Sequence, residues 1–252
     1  MSGGMKIHAR APFLLPALLL ALPAPAFSAR TDWAETEGGS MRIVATRTAD
    51  GGVDGVLEVT LDPGWKTYWR DPGDGGIPPM LTLDGNDVAL AFPAPERIED
   101  NGQVFSGYHS SVALPFHLAE AGSGTLNFDA FIGLCREVCI PFQANLPIRP
   151  DDRDGARIEN ARKALPAQAG DDRFSVSGRD GDVLALARSA PVPSGSELFV
   201  APPDGVALTA PLANGTGFTV SVRRWPLEPA TIVYTLVLPD GSAEDGAFEI
   251  TP

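Results

Sequence analysis

The chain is poor in several features that would point to common kinds of chemistry. Its longest apolar run, residues 13–22, is about ten residues, roughly half of what a membrane-spanning helix needs. Direct membrane insertion of the mature chain is therefore not expected. Positive charge is scarce, with 19 Lys and Arg against 32 Asp and Glu and a net charge of −13, which argues against attraction to nucleic acid or anionic lipid. There are only three histidines and two cysteines in 252 residues. No Ser/His/Asp constellation, phosphate-cradling loop or paired-carboxylate site stands out. From residue 166 onward there is neither Cys nor His, so nothing in that part suggests chemistry.

The first residues predict an export signal. Lys6 and Arg10 give a basic start, the 13–22 run follows, and then come the small residues Ala24-Pro25-Ala26 and Ser28-Ala29, with no acidic residue before Asp32. That order is a cleavable secretory signal over residues 1–29. Its loss makes the mature chain more acidic still, which fits a well-solvated surface. Gly (27) and Pro (24) are abundant, yet Val, Leu and Ile recur in short runs, so the chain reads as turn-rich and folded.

Those runs come about every ten residues: 41–46, 56–61, 65–70, 112–118, 126–134 and 140–148, separated by Gly, Pro, Asn and Asp. Period-two patterning at that spacing predicts an antiparallel β-sandwich. The polar run Pro150-Asp151-Asp152-Arg153-Asp154-Gly155 interrupts it, and a short helix over 156–164 is expected before Pro166. A second set of strands then begins: 174–177, 183–187, 197–200, 218–222, 231–238 and 247–250. The expectation is an all-β chain of two sandwiches, residues 30–150 and 166–252, joined by a 151–165 linker carrying a short helix.

Both cysteines lie in Phe131-Ile132-Gly133-Leu134-Cys135-Arg136-Glu137-Val138-Cys139-Ile140-Pro141. Apolar runs flank them, so each should end a strand of one hairpin, with three residues in the loop. Residues facing each other at such a hairpin end have Cα atoms about 5 Å apart, close enough for a disulfide. A bridge closing about five residues stabilises a fold by roughly 2 kcal/mol, against roughly 4 for one closing sixty. Redox exchange, structural stapling and metal ligation all remain open on spacing alone. A helix N-terminus, which lowers the thiol pKa in ordinary C-x-x-C sites, is missing here. Arg136 and Glu137 act in opposite directions on a thiolate.

Other features take bland readings first. On a strand over 65–70, Trp65, Thr67 and Trp69 share one face and Lys66, Tyr68 and Arg70 the other. The tryptophans read as core, and Tyr68 is the aromatic expected to face the cysteines. Asp71-Pro72-Gly73-Asp74-Gly75-Gly76 reads as a turn, because it lacks the ligand spacing of a calcium loop. His109 and His117 would complete a tetrahedral set with the two cysteines, but their spacing matches no strong metal motif.

The motifs Gly64-Trp65-Lys66-Thr67-Tyr68-Trp69-Arg70-Asp71-Pro72-Gly73, Gly107-Tyr108, Val112-Ala113-Leu114-Pro115 and Gly133-Leu134-Cys135-Arg136-Glu137-Val138-Cys139-Ile140-Pro141, in that order, resemble the periplasmic N-terminal domain of the DsbD and ScsB thiol–disulfide reductases, closer to the ScsB-like branch. The resemblance covers residues 35–150 strongly and the rest more weakly. It implies an immunoglobulin-like redox domain in the periplasm that passes electrons between a thioredoxin-like or membrane donor and oxidised proteins. It maps the partner-bonding sulfur onto Cys139 and the resolving one onto Cys135. Phe105 falls in the stretch corresponding to the family's cap loop, residues 98–105. The site expected is thus Cys135 and Cys139, with Tyr68, Phe105 and Tyr108 shielding the sulfurs or contacting partners, and no metal or cofactor. The family's usual membrane and thioredoxin-like domains have no counterpart in this sequence, so the expected electron source is a separate membrane protein. The rival expectation is a non-catalytic periplasmic binding or copper-handling module with a structural disulfide.

Overall fold

Along Leu126–Cys135 buried residues alternate with more exposed ones, and Leu126, Phe128, Ala130 and Ile132 point inward. That period of two is what one half-buried face of a strand requires. The computed structural model describes Met1 and residues 29–252 except Asp74, Asn101 and Asp152. The predicted signal, residues 1–29, falls outside the described residues but for its two ends. Among the described residues no helix is long and apolar enough to cross a membrane.

The first sandwich packs two antiparallel sheets face to face. One runs in the order Ala34–Thr36, Gly39–Arg47, Val53–Leu61, Val112–Leu118. The other runs Cys139–Ile148, Leu126–Cys135, Met80–Leu83, Asn86–Asp87. Ile43, Leu57 and Leu114 of the first sheet share one core with Phe128 and Ile132 of the second. Each such side chain contributes about 1.5–3 kcal/mol through burial. A three-stranded sheet of Thr67–Tyr68, Gln103–Tyr108 and Glu96–Asp100 sits beside them. The last two strands form a hairpin, called the cap hairpin below. The charged segment Glu96–Asp100 gives no sequence signal for a strand. It becomes one because Ile98 is buried with Tyr68, Phe105 and Cys135.

The second sandwich has one sheet in the order Ala167–Gln168, Ala243–Ile250, Ala230–Val237, Glu197–Ala201. Its other sheet runs Ser175–Asp180, Val183–Ala187, Phe218–Arg224, Ala207–Leu208, with Leu212–Ala213 also pairing on Phe218–Arg224. Phe174, Phe218, Tyr234 and Phe248 fill its core. The architecture is two immunoglobulin-like sandwiches with a short helix between them.

That helix, Gly155–Lys163, lies on the outer face of the first sandwich. Ile158 and Ala161, three residues apart and so on one helical face, pack on Val44 and Val56. Arg157 reaches Glu58 at 2.9 Å, and Arg162 donates to Asp54 at 2.9 Å. Burial works to raise the Asp54 carboxyl, but hydrogen bonds from Arg162 and His117 outweigh it and hold Asp54 below the ordinary 3.8. A carboxylate with a depressed folded pKa stabilises the fold above its unfolded value, and that contribution is lost as pH falls through the folded one. Helix docking is therefore expected to weaken below about pH 3.8. Protease sensitivity of residues 150–165 on acid titration should show it. In Asp54→Asn the helix should be loosened already at neutral pH, with this acid step gone; an unchanged acid step would place its origin elsewhere.

The sandwiches meet behind the Thr67–Tyr68 strand. Trp69 and Phe199 pack edge to face, with ring centroids 6.1 Å apart. Arg97 on the cap hairpin donates to the Leu198 carbonyl at 3.2 Å, pairs with Glu197 at 3.4 Å, and lies over the Phe199 ring at 4.9 Å. Arg70 pairs with Asp245 at 3.4 Å.

Candidate functional site

Cys135 ends one strand of the long hairpin and Cys139 begins the next. The ladder runs unbroken from Leu126↔Ile148 to Cys135↔Cys139, so the two residues close the hairpin directly opposite each other. Their Cα atoms are 4.1 Å apart and a disulfide joins them. The surroundings of the two sulfurs differ. Cys135 is 1% exposed, whereas Cys139 is an exposed residue. The cause lies in the order of strands. Cys139 starts an edge strand, while Cys135 is paired on both sides: with Cys139 on one, and with Lys66 on the other, through Lys66 N–H to Cys135 O at 2.8 Å and Cys135 N–H to Lys66 O at 2.9 Å. Alternation then sends Leu134 into the main core and Cys135 to the opposite face.

That opposite face is covered by Tyr68, Phe105, Ile98 and Ile77. The Tyr68 hydroxyl is 2.8 Å from Cys135 Sγ and 3.2 Å from Cys139 Sγ. Neither disulfide sulfur carries a proton, so the phenol is the donor to both. Two glycines make room for its ring. A Cβ on Gly76 would stand 2.6 Å from Tyr68 Cδ1, and one on Gly133 would stand 2.6 Å from Ile77 Cβ and 3.2 Å from Tyr68 Cδ2. Phe105 from the cap hairpin meets Tyr68 edge to face at 5.8 Å. Burial, with a smaller contribution from Asp100, pushes the Tyr68 phenol above its ordinary value, so it stays a donor through neutral pH.

The cavity here is small, about 110 Å³, and is lined by Lys66, Tyr68, Phe105 and both cysteines, with Asp100, Gln103, Arg136 and Glu137 around it. Lys66 Nζ pairs with Asp100 and lies 5.5 Å from the centre of the Phe105 ring. Arg136, in the tight turn, is directed over Trp65, 5.4 Å from its ring centre.

Of the residues singled out from sequence, Cys135, Cys139, Tyr68 and Phe105 come together. Tyr108 does not. It is three residues beyond Phe105 on the same strand and therefore on the opposite face. There it sits in the main core and donates to the Pro93 carbonyl at 2.9 Å. The histidines are also elsewhere: His109 pairs with Glu96 at 3.1 Å and His117 with Asp54 at 2.7 Å, both exposed. Among the described residues no group of three or more His, Cys, Asp or Glu is placed to hold a metal ion. Sequence reasoning passed over Lys66 and Asp100 as site residues. Lys66 was visible as a neighbour of Tyr68 on one strand face, but Asp100 reaches the site only through the cap hairpin. Arg70 was expected on the Tyr68 face too. The strand ends at Tyr68, and Arg70 turns instead to Asp245.

Residues 40–147 match the family described as thiol:disulfide interchange protein DsbD, N-terminal. A search of curated proteins returned no match. Among solved structures, the N-terminal periplasmic domain of ScsB from Proteus mirabilis superposes with a TM-score of 0.74 at 24% identity, covering 88% of this chain and 98% of that one. A conserved domain protein from Bacillus anthracis aligns over 90% of this chain and 91% of its own, at 11% identity and a TM-score of 0.23, too low to carry an argument. The disulfide-closed hairpin lies inside the segment that matches the DsbD N-terminal family model, residues 40–147, and the chain shares its fold with the ScsB periplasmic domain.

Proposed function

We propose that the chain is a periplasmic thiol–disulfide exchange protein, passing reducing equivalents between a thioredoxin-like or membrane donor and oxidised proteins through Cys135 and Cys139. The single observation that carries this reading is the asymmetry of the disulfide, one cysteine exposed at a sheet edge and the other buried beneath a hydroxyl donor. That arrangement leaves one cysteine accessible to an attacking thiolate and gives the other a hydrogen-bond donor as its sulfur departs. The periplasmic setting rests on the export signal read in residues 1–29, and an oxidising compartment lets such a bridge persist.

The exchange runs as follows. A donor thiolate attacks Cys139 Sγ, a new S–S bond forms between donor and Cys139, and the Cys135–Cys139 bond breaks with its electron pair left on Cys135 Sγ. The Tyr68 hydroxyl, already 2.8 Å away, donates to that thiolate as it forms. The second thiol of the donor then displaces Cys139. The donor leaves as a disulfide and this chain as a dithiol, two electrons and two protons richer. In the forward half, the Cys139 thiolate attacks an oxidised target, and Cys135 resolves the mixed disulfide by attacking Cys139 Sγ.

The test is reduction of the purified oxidised protein by a thioredoxin-like donor without denaturant, read as thiol alkylation by mass. Full reduction is expected. A disulfide that resists, with a reduction potential below about −300 mV, would support the structural-bridge alternative. Tyr68→Phe should leave the fold intact and slow reduction about tenfold, the loss of one hydrogen bond to a developing charge. An unchanged rate would remove Tyr68 from the mechanism.

A further inference from the structure

Lys66 is a buried cation that the exchange scheme above leaves without a role. Lys66 and Cys135 are directly opposed in an antiparallel bridge, exchanging both backbone hydrogen bonds at 2.8 and 2.9 Å. Side chains of such a pair project from the same face of the sheet and are immediate neighbours. The Lys66 side chain is only 8% exposed, and it lines the same cavity as both cysteines. Burying an ammonium is costly unless it is paired, and lysine is rarely buried without such a reason. Asp100 supplies a pair in the oxidised protein, but Asp100 is 31% exposed and belongs to the cap hairpin, so it offsets the cost only in part.

We propose that Lys66 provides the counter-charge for the thiolate that appears on Cys135 when the disulfide opens. This rests on the exchange reading above. As the donor's sulfur bonds to Cys139 and the Cys135–Cys139 bond breaks, the electron pair arrives on Cys135 Sγ beside an ammonium that Asp100 has held in place. No proton need move in that step: the charge lost by the attacking thiolate reappears on Cys135. The other charged or titratable groups facing this sulfur come from every surrounding element. Tyr68, on the same strand as Lys66, favours the thiolate by hydrogen bonding. Asp100 from the cap hairpin opposes it, less so while engaged with Lys66. In the tight turn, Glu137 opposes it, Arg136 is turned towards Trp65, and Cys139 adds its own charge only when ionised. Lys66 is thus a positioning charge for the leaving sulfur, and Asp100 its holder.

The experiment titrates the Cys135 thiol in full-length Cys139→Ser protein by ultraviolet thiolate absorbance, with no partner present. Adding Lys66→Met is expected to raise the titration midpoint by about one pH unit, a tenfold loss of thiolate at fixed pH, while Lys66→Arg keeps it near the parent value. Asp100→Asn, which frees the ammonium from its carboxylate, is expected to move the midpoint the other way. In the two-cysteine protein, Lys66→Met should also slow reduction by dithiothreitol about tenfold, with rescue in Lys66→Arg. An unmoved midpoint in Lys66→Met overturns the proposal. Should that variant fail to fold, Lys66→Gln takes its place, and an unmoved midpoint there overturns the proposal equally. A disulfide that thioredoxin-like donors cannot reduce would instead defeat the exchange reading, a result the partner-free titration does not depend on.

Discussion

On a non-reducing gel, Cys135→Ser protein should form a covalent complex with an activated thioredoxin-like partner, and Cys139→Ser protein should not. In the first variant the remaining thiol is on the exposed residue at the sheet edge. With no Cys135 to attack the mixed disulfide, the complex accumulates. In the second variant the remaining thiol is on a residue 1% exposed, covered by Tyr68 and the cap hairpin, where a partner disulfide cannot align for in-line attack. Turnover should fall to background in both, because release of the partner needs two thiols. A complex formed only through Cys135 would reverse the assignment. None through either would end the exchange mechanism for that partner.

Phe199→Ala should lower the unfolding free energy by about 3–5 kcal/mol, the usual loss for a large buried aromatic. Phe199 is 1% exposed and joins the core of the first sandwich although it belongs to a strand of the second. Its removal opens a cavity against Trp69 and takes the ring from beneath Arg97. Trp69 directly follows Tyr68, and Arg97 sits on the cap hairpin, so this junction backs the strand and the hairpin that cover the sulfurs. Denaturant unfolding measures the loss; a change below about 1 kcal/mol would mean that the two sandwiches touch without supporting each other. We propose that they are distinct domains, residues 30–150 and 166–252, joined by 151–165. The loosened variant should then unfold in two steps where the parent unfolds in one.

The sequence by itself determined the strands whose apolar residues alternate strongly, such as 126–134 and 140–148, and with them the hairpin that closes on Cys135 and Cys139. Period-two burial and a three-residue loop are local properties, legible without knowing what packs on the hairpin. The helix was legible too, because a polar run with Gly155 precedes it and Pro166 follows. What only the tertiary structure decided is that Cys135 is buried while Cys139 is exposed. Pro141 lacks the N–H that would extend pairing after Cys139, but the difference arises because Leu126–Cys135 is paired along both edges at its end and Cys139–Ile148 along one. Strand order is a long-range choice, invisible in either strand's own sequence. The cap hairpin is a second case: Glu96–Asp100 has four charged residues in five, and its strand form depends on Ile98 finding Tyr68 and Phe105. Tyr108 was misplaced because the hairpin was not seen, and so its alternation could not be counted from Phe105. Lys66 and Asp100 meet for the same reason, as two charges 34 residues apart, brought together only once the hairpin folds over the disulfide.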